Sequence, residues 1–306
     1  MTKNEFFEAV KDSVLEILRK EDQELDCVIG ETMKANCVAL SSLTFKSNTG
    51  NIQPVIYIDE FYDKYLSEDT TVAEAARKVA DIYMNNKWDG NLDVSKITDF
   101  SQVMDRVILS LYSNERNEAA LKDLPHIAIE NTDLSAFFKI LLPDDIQGGT
   151  GTITVHNGLF STWNVSVEEL YDTAWANTRR LCPPDFKSMA EVLRGMCSMD
   201  LLEDFDDAFG VPQMYVLSTS DKTNGSIYMI DTLTLADIAD KLEDNLIILP
   251  SSRLEVIVLP QNGTDNFEFL KSIVEEVNST QVEPVDVLSD SVYLFERDSK
   301  QVRLCA

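Results

Sequence analysis

The sequence predicts an α+β fold with mixed, mainly antiparallel sheets and flanking helices. Amphipathic segments with a period of about 3.6 residues recur along the chain, which is typical of helices that pack through one face. Short apolar runs bounded by turn residues predict strands between these helices. Because helices and strands do not alternate regularly, we do not expect a doubly wound parallel sheet.

The N-terminal part of the chain contains two clear helix signals. Residues 4–20 place apolar side chains such as Phe6 on one face and charged side chains opposite. A second helix over residues 70–86 follows Thr70 and Thr71, either of which can cap its first turn. The strands predicted here are 25–30, 35–46 and 54–58, and a further helix is predicted at 59–66.

The rest of the chain continues the same mixture. A long helix begins at Ser166 and ends at Cys182-Pro183-Pro184, because proline disfavours a helical residue before it. Asn224-Gly225 predicts a hairpin that joins strands 214–218 and 227–230. The other predicted strands are 107–111, 126–129, 135–142, 152–156, 246–249, 255–259, 292–295 and 301–304. The other predicted helices are 114–124, 187–197, 234–242 and 267–277.

One segment interrupts this pattern. Pro143–Gly149 combines proline, aspartate and glycine and is the best candidate for a hinge. We expect a single integrated α+β unit over residues 1–306, the alternative being an internal subdivision into 1–145 and 150–306 around this hinge.

The charge of the chain is unusual. Lys and Arg total 26 against 53 Asp and Glu, which gives a formal net charge of -27, and the excess is spread over the chain. Such a surface repels nucleic-acid phosphates and anionic lipids. We therefore expect no direct nucleic-acid binding, no membrane association and a protein partner that is preferably basic. The acidity also fits a role in solubility or mimicry of a nucleic-acid backbone.

The five cysteines and the N-terminus bear on the compartment. No two cysteines form a C-x-x-C pair, so we expect no metal site and no disulfide framework, and we expect Cys27 and Cys37 to be buried free thiols. The first residues form a helix without an apolar signal core, and no run of about 18 apolar residues exists. The sequence therefore predicts a cytoplasmic protein.

Few residues suggest catalysis. His126 and His156 are candidate general bases, although a single histidine at a strand end is commonly structural. Ser251 and Ser252 lie in a turn between two apolar runs, close to Glu255, without a G-x-S-x-G motif. Ser252, Glu255 and His156 are therefore the catalytic candidates for a hydrolase.

Candidate binding residues are equally few. Ser251 and Trp163 are the binding candidates, and Trp163 also fits an aromatic core. Gly148–Thr152 lacks the Lys-Ser/Thr pair of a phosphate-binding loop. The carboxylates over residues 200–207 lack the ligand order of an EF-hand. We expect no cofactor.

Several stretches together resemble a known family. They are Pro54–Tyr65, Trp163–Ser166 with Glu169-Leu170, Met214–Ser218, Ile248–Ile257, Val277-Asn278 and Leu288–Tyr293. In order and spacing they resemble an uncharacterised domain family from gut Firmicutes and their mobile elements. The resemblance covers almost the whole chain and implies a histidine after the Pro-Ser-Ser-x stretch, where this chain has Leu254 before Glu255.

The departure at Leu254 weakens an enzymatic interpretation. The leading hypothesis is a non-enzymatic protein-binding or regulatory module. The alternatives are a hydrolase that uses Ser252, Glu255 and His156, and an acidic mimic or inhibitor from a mobile element.

Overall fold

The computed structural model describes residues 1–21, 25–46, 51–87, 92–142, 151–196 and 213–306. The chain divides into two compact units, of which the first contains Met1–Ile97 and the second contains Thr98–Leu142 and Thr152–Ala306. The predicted hinge at Pro143–Gly149 lies outside the described residues, so the expected single integrated unit stays a prediction.

The first unit is a three-stranded sheet covered by helices. Its elements are α1 (Lys3–Lys20), β1 (Asp26–Met33), β2 (Ala39–Lys46), β3 (Val55–Tyr57), α2 (Asp59–Leu66) and α3 (Val72–Asn86), followed by α4 (Val94–Thr98). The strands pair antiparallel in the order β1-β2-β3.

Capping and burial explain the helices of this unit. Thr2 and Thr71 each cap a helix in a reciprocal box with the glutamate three residues later, which satisfies backbone N–H groups in the first turn. The apolar face of α1, including Phe6, packs with α3 and the sheet in one core. Cys27 is buried in that core as predicted, whereas Cys37 is exposed, so the prediction for Cys37 is wrong.

The second unit contains two sheets. Up to residue 188 its elements are α5 (Phe100–Val103), β4 (Val107–Ser113), α6 (Glu118–Leu121), β5 (His126–Ala128), β6 (Leu134–Leu141), β7 (Thr152–Thr154), α7 (Asn157–Trp163), α8 (Val167–Leu181) and β8 (Pro184–Ser188). The later elements are α9 (Met189–Met196), β9 (Tyr215–Thr219), α10 (Thr232–Leu242), β10 (Leu246–Leu249), β11 (Val256–Pro260), α11 (Phe267–Thr280), β12 (Tyr293–Glu296) and β13 (Gln301–Leu304).

Both sheets of the second unit are antiparallel, which confirms the predicted α+β class. The smaller sheet has the order β4-β6-β5, and β7 also pairs with β6. The larger sheet has the order β13-β12-β10-β11-β9-β8. Helix α8 packs against β4, where the hydroxyl of Thr178 accepts a hydrogen bond from the backbone N–H of Leu109 at 3.0 Å.

The predicted hairpin at Asn224-Gly225 is wrong. Residues 227–230 belong to a 3-10 helix, Gly225–Ile230, instead of a returning strand. Strand β9 pairs with β8 and β11 instead. Gly225 is needed because a Cβ atom there would collide with the backbone of Ser218 and with the carbonyl oxygen of Leu254.

Candidate functional site

The turn between β10 and β11 holds three of the predicted site residues. Ser252 is buried, and its Oγ accepts a hydrogen bond from the backbone N–H of Leu254 at 3.0 Å. The backbone N–H of Ser252 donates to the carbonyl oxygen of Glu255, and that of Ser251 donates to Leu249. The serines thus close a tight local turn.

The rest of the second unit also holds this turn in place. The carbonyl oxygen of Leu254 accepts hydrogen bonds from the Ser218 hydroxyl at 2.9 Å and from the Gly225 N–H at 2.9 Å. The Ser226 hydroxyl donates to the carbonyl oxygen of Arg253 at 2.8 Å. These bonds are sufficient to explain the Pro-Ser-Ser stretch as a structural turn.

His156 lies on a different element. It precedes α7, and its exposed ring forms a 2.8 Å contact between Nδ1 and Oδ2 of Asp123. Among the described residues no side-chain hydrogen bond joins Ser252, Glu255 and His156, and only the backbones of Ser252 and Glu255 are bonded to each other. The hydrolase assignment therefore stays a prediction without a supporting contact.

Trp163 lies in an aromatic cluster. It is buried, and its ring centroid is 5.3 Å from that of Phe100 and 6.5 Å from that of Phe160. This packing explains Trp163 as part of the core of the second unit. The other histidine, His126, contacts the carbonyl oxygen of Leu124 through Nδ1 at 2.8 Å, which orients its ring at the start of β5.

A groove lies beside the C-terminal end of α11. Its volume is about 520 Å³. Three carboxylates and one guanidinium contribute to its lining, together with small and apolar side chains. The charged lining residues are Glu275, Glu283, Asp290 and Arg116. The groove is therefore acidic.

A buried amide organises one wall of this groove. Asn278 is 7% exposed. Its Nδ2 donates to the carbonyl oxygen of Ser289 at 3.0 Å and to Oδ1 of Asp290 at 2.8 Å, and Arg116 donates to the other carboxylate oxygen of Asp290. Because both contacts of Nδ2 are acceptors, the orientation of the amide is fixed.

The carbonyl oxygen of the same amide lacks a donor among the described residues. The Oδ1 atom of Asn278 is buried, and no group in the described part of the chain hydrogen-bonds to it. A buried acceptor in this state is costly unless a donor reaches it. An ammonium or guanidinium group in the groove would supply that donor and would also meet the carboxylates.

The segment beyond the groove is held by Asp133. The hydroxyls of Ser289 and Ser291 donate to Oδ2 of Asp133 at 2.9 and 3.2 Å, and the hydroxyl of Tyr293 donates to Oδ1. Burial, with the neighbouring Asp133 carboxylate, raises the pKa of Tyr293, so the hydroxyl keeps its proton and remains a donor. This network fixes the register of residues 289–293 beside Asn278.

Comparisons with known proteins place the chain in a family whose function is unknown. Residues 3–297 match the model of a "Family of unknown function (DUF5688)". The chain belongs to this family. Neither a curated protein nor a solved structure matches the chain.

Two features of the described residues bear on the site. None of the helices there is long and apolar enough to cross a membrane. In the same residues no group of three or more His, Cys, Asp and Glu side chains is placed to hold a metal ion. The glycines at 148–149 and the carboxylates at 200–207 lie outside the described part of the chain.

Proposed function

We propose that the protein is a non-enzymatic binding module whose groove beside α11 receives a basic segment of a protein partner. The single observation that carries this proposal is the buried Oδ1 of Asn278, which has no donor among the described residues, in a groove that also presents Glu275, Glu283 and Asp290. A lysine or arginine side chain supplies the missing donor and a positive charge together.

The charge of the whole chain supports the same choice of partner. A net charge of -27 accelerates encounter with a basic surface and disfavours acidic ones. We place the protein in the cytoplasm, where the reducing environment keeps buried thiols such as Cys27 and Cys182 free.

The test is the affinity for a short peptide rich in lysine and arginine, measured by fluorescence anisotropy. The double variant Glu275→Gln and Glu283→Gln removes two charges from the groove without changing side-chain size. We expect the dissociation constant to rise about tenfold, since two exposed charge contacts of about 0.7 kcal/mol each are worth about 1.4 kcal/mol together.

A matched control separates the groove from the general acidity. Glu268 and Glu276 are exposed residues of α11, the helix that carries Glu275, and they do not line the groove. Glu268→Gln with Glu276→Gln changes the net charge equally and should leave the affinity within about twofold. Equal losses in the two double variants would refute the assignment of the groove.

A further inference from the structure

Arg253, in the turn between β10 and β11, has a donor that finds no acceptor among the described residues. Its Nη2 donates to Oδ1 of Asp286 at 2.8 Å, and its backbone N–H donates to the carbonyl oxygen of Asp286 at 2.8 Å. Its Nε atom is buried and has no hydrogen-bond partner within the described ranges of the chain. The guanidinium is thus firmly placed, and one edge of it remains unsatisfied.

Two more side chains with donor groups, Tyr112 and Lys139, lie on the smaller sheet. The ring of Tyr112 stacks on that of Phe137 with centroids 4.1 Å apart, and Nζ of Lys139 lies 5.4 Å from the Phe137 centroid. The strand register places these side chains on one face of β4 and β6. Within the described residues neither the Tyr112 hydroxyl nor the Lys139 ammonium makes a hydrogen bond to the protein.

The three side chains share one electrostatic environment. Burial, with the positive charge of Arg253, lowers the pKa of Lys139 to about 8, and the carboxylate of Asp286 and the thiol of Cys182 oppose this effect. Burial raises the pKa of Tyr112, while Arg253 opposes that rise.

Hydrogen bonds bring the turn that carries Arg253 to this face of the sheet: the hydroxyl of Ser110, on the same face of β4, donates to Oδ1 of Asn224 at 2.8 Å, and the N–H of the next residue, Gly225, donates to the carbonyl oxygen of Leu254 at 2.9 Å. Asp286, the ion-pair partner of Arg253, also acts on Lys139, so its one negative charge is shared by two cations.

We propose that Arg253, Lys139 and Tyr112 form a binding site for a small oxyanion, a phosphate or a carboxylate group. The anion would accept hydrogen bonds from Nε of Arg253, Nζ of Lys139 and the Tyr112 hydroxyl, and it would balance the unpaired positive charge. This site is independent of the groove beside α11 and goes beyond the binding function proposed for it.

The acidity of the chain explains why an oxyanion would bind at this site and not elsewhere on the surface. Nonspecific attraction of anions to the surface is disfavoured by a net charge of -27, so an anion is retained only where cations and donors converge. A buried cation without a hydrogen bond or a full counter-charge destabilises a fold. A bound oxyanion removes that cost for Lys139 and satisfies Arg253 at the same time.

The experiment is a thermal-shift and calorimetric titration of the full chain with sodium phosphate and, separately, with sodium acetate. Sodium chloride at equal ionic strength is the reference. We expect a saturable rise in Tm with at least one oxyanion and none with chloride. A response to phosphate alone identifies a phosphate group as the ligand, and a response to acetate alone identifies a carboxylate.

Three variants localise the response. Lys139→Met should abolish the rise in Tm with an oxyanion. Without the anion, this variant should be no less stable than the wild type. A lysine with a purely structural role would not give both results. Tyr112→Phe retains the ring stack and should weaken binding about fivefold by removing one donor. The exposed Lys241→Met has the same charge change and should respond as the wild type does.

Two outcomes would overturn the proposal. If neither oxyanion raises Tm or releases heat beyond the chloride reference, an ordered water alone satisfies Arg253. If Lys139→Met and Tyr112→Phe both respond as the wild type does, the anion binds elsewhere.

Discussion

The replacement Lys139→Met is expected to stabilise the unliganded protein near neutral pH. Burial lowers the pKa of the lysine from 10.5 to about 8, so the folded state binds this proton less tightly than the unfolded chain does. At about 1.36 kcal/mol for each pKa unit, this difference in pKa corresponds to a loss of at most about 3 kcal/mol in the free energy of unfolding. Methionine keeps the apolar stem on Phe137 and loses only a cation–π contact of about 1 kcal/mol. We expect a net gain of about 2 kcal/mol.

The lowered pKa of Lys139 determines whether the free energy of unfolding rises or falls with pH. Below about pH 8 the lysine is charged in both states and the folded state carries the full cost. Between about 8 and 10.5 the folded state releases its proton while the unfolded state retains it, so the wild type gains stability as the pH rises through this window. The groups that face Lys139 through space are Arg253, Asp286 and Cys182, and the thiol, with a pKa raised by burial to about 11, titrates mainly above this window.

The assay is urea unfolding at several pH values in chloride buffer, with Lys241→Met as the exposed control. The free energy of unfolding of wild type and control should approach that of Lys139→Met as the pH rises from 8 to 10. A variant that is less stable than the wild type at pH 7, or a difference that does not change with pH, would refute the reasoning.

The remaining predictions concern two structural contacts. Gly225→Ala should destabilise the protein by about 3 kcal/mol because a Cβ atom meets backbone atoms there, whereas Gly158→Ala, in a helix with open space around it, should be neutral or slightly stabilising. Urea midpoints measure both, and similar values for the two alanine variants would contradict the close approach. Tyr293→Phe should cost about 1–3 kcal/mol because Asp133 loses a buried donor. An unchanged unfolding free energy would show that this network carries no stability.

Local signals predicted much of the fold. The capping box of Thr71 and Glu74 marks the start of α3, and the proline pair after Cys182 marks the end of α8. The apolar runs on either side of Pro250-Ser251-Ser252 became the paired strands β10 and β11. In each case the deciding interactions lie within a few residues along the chain.

The errors occurred where distant contacts decide the structure. Residues 227–230 are apolar enough for a strand, but the close packing of Gly225 on Ser218 and Leu254 turns the chain into a 3-10 helix. Strand β8 begins with Pro184 at a sheet edge, where proline is tolerated, and its short sequence lacks an alternating apolar pattern.

The candidate sites could not be predicted from local sequence patterns. The acidity of the chain predicted a basic partner but not the place where it binds. The groove depends on contacts such as the ion pair of Arg116 with Asp290, which are 174 residues apart. The resemblance had singled out Val277-Asn278 and Leu288–Tyr293, yet only the fold shows that the amide of Asn278 lies against that second segment.

The most direct test of the proposed function is an NMR titration that follows the side-chain amide of Asn278. The peptide rich in lysine and arginine is added to the isotope-labelled full chain at moderate salt, and the Nδ2–H resonances of Asn278 are assigned by comparison with Asn278→Asp. We predict saturable shifts of these resonances that are lost in the Glu275→Gln, Glu283→Gln variant. A peptide that binds with unchanged Asn278 resonances would contradict the central claim.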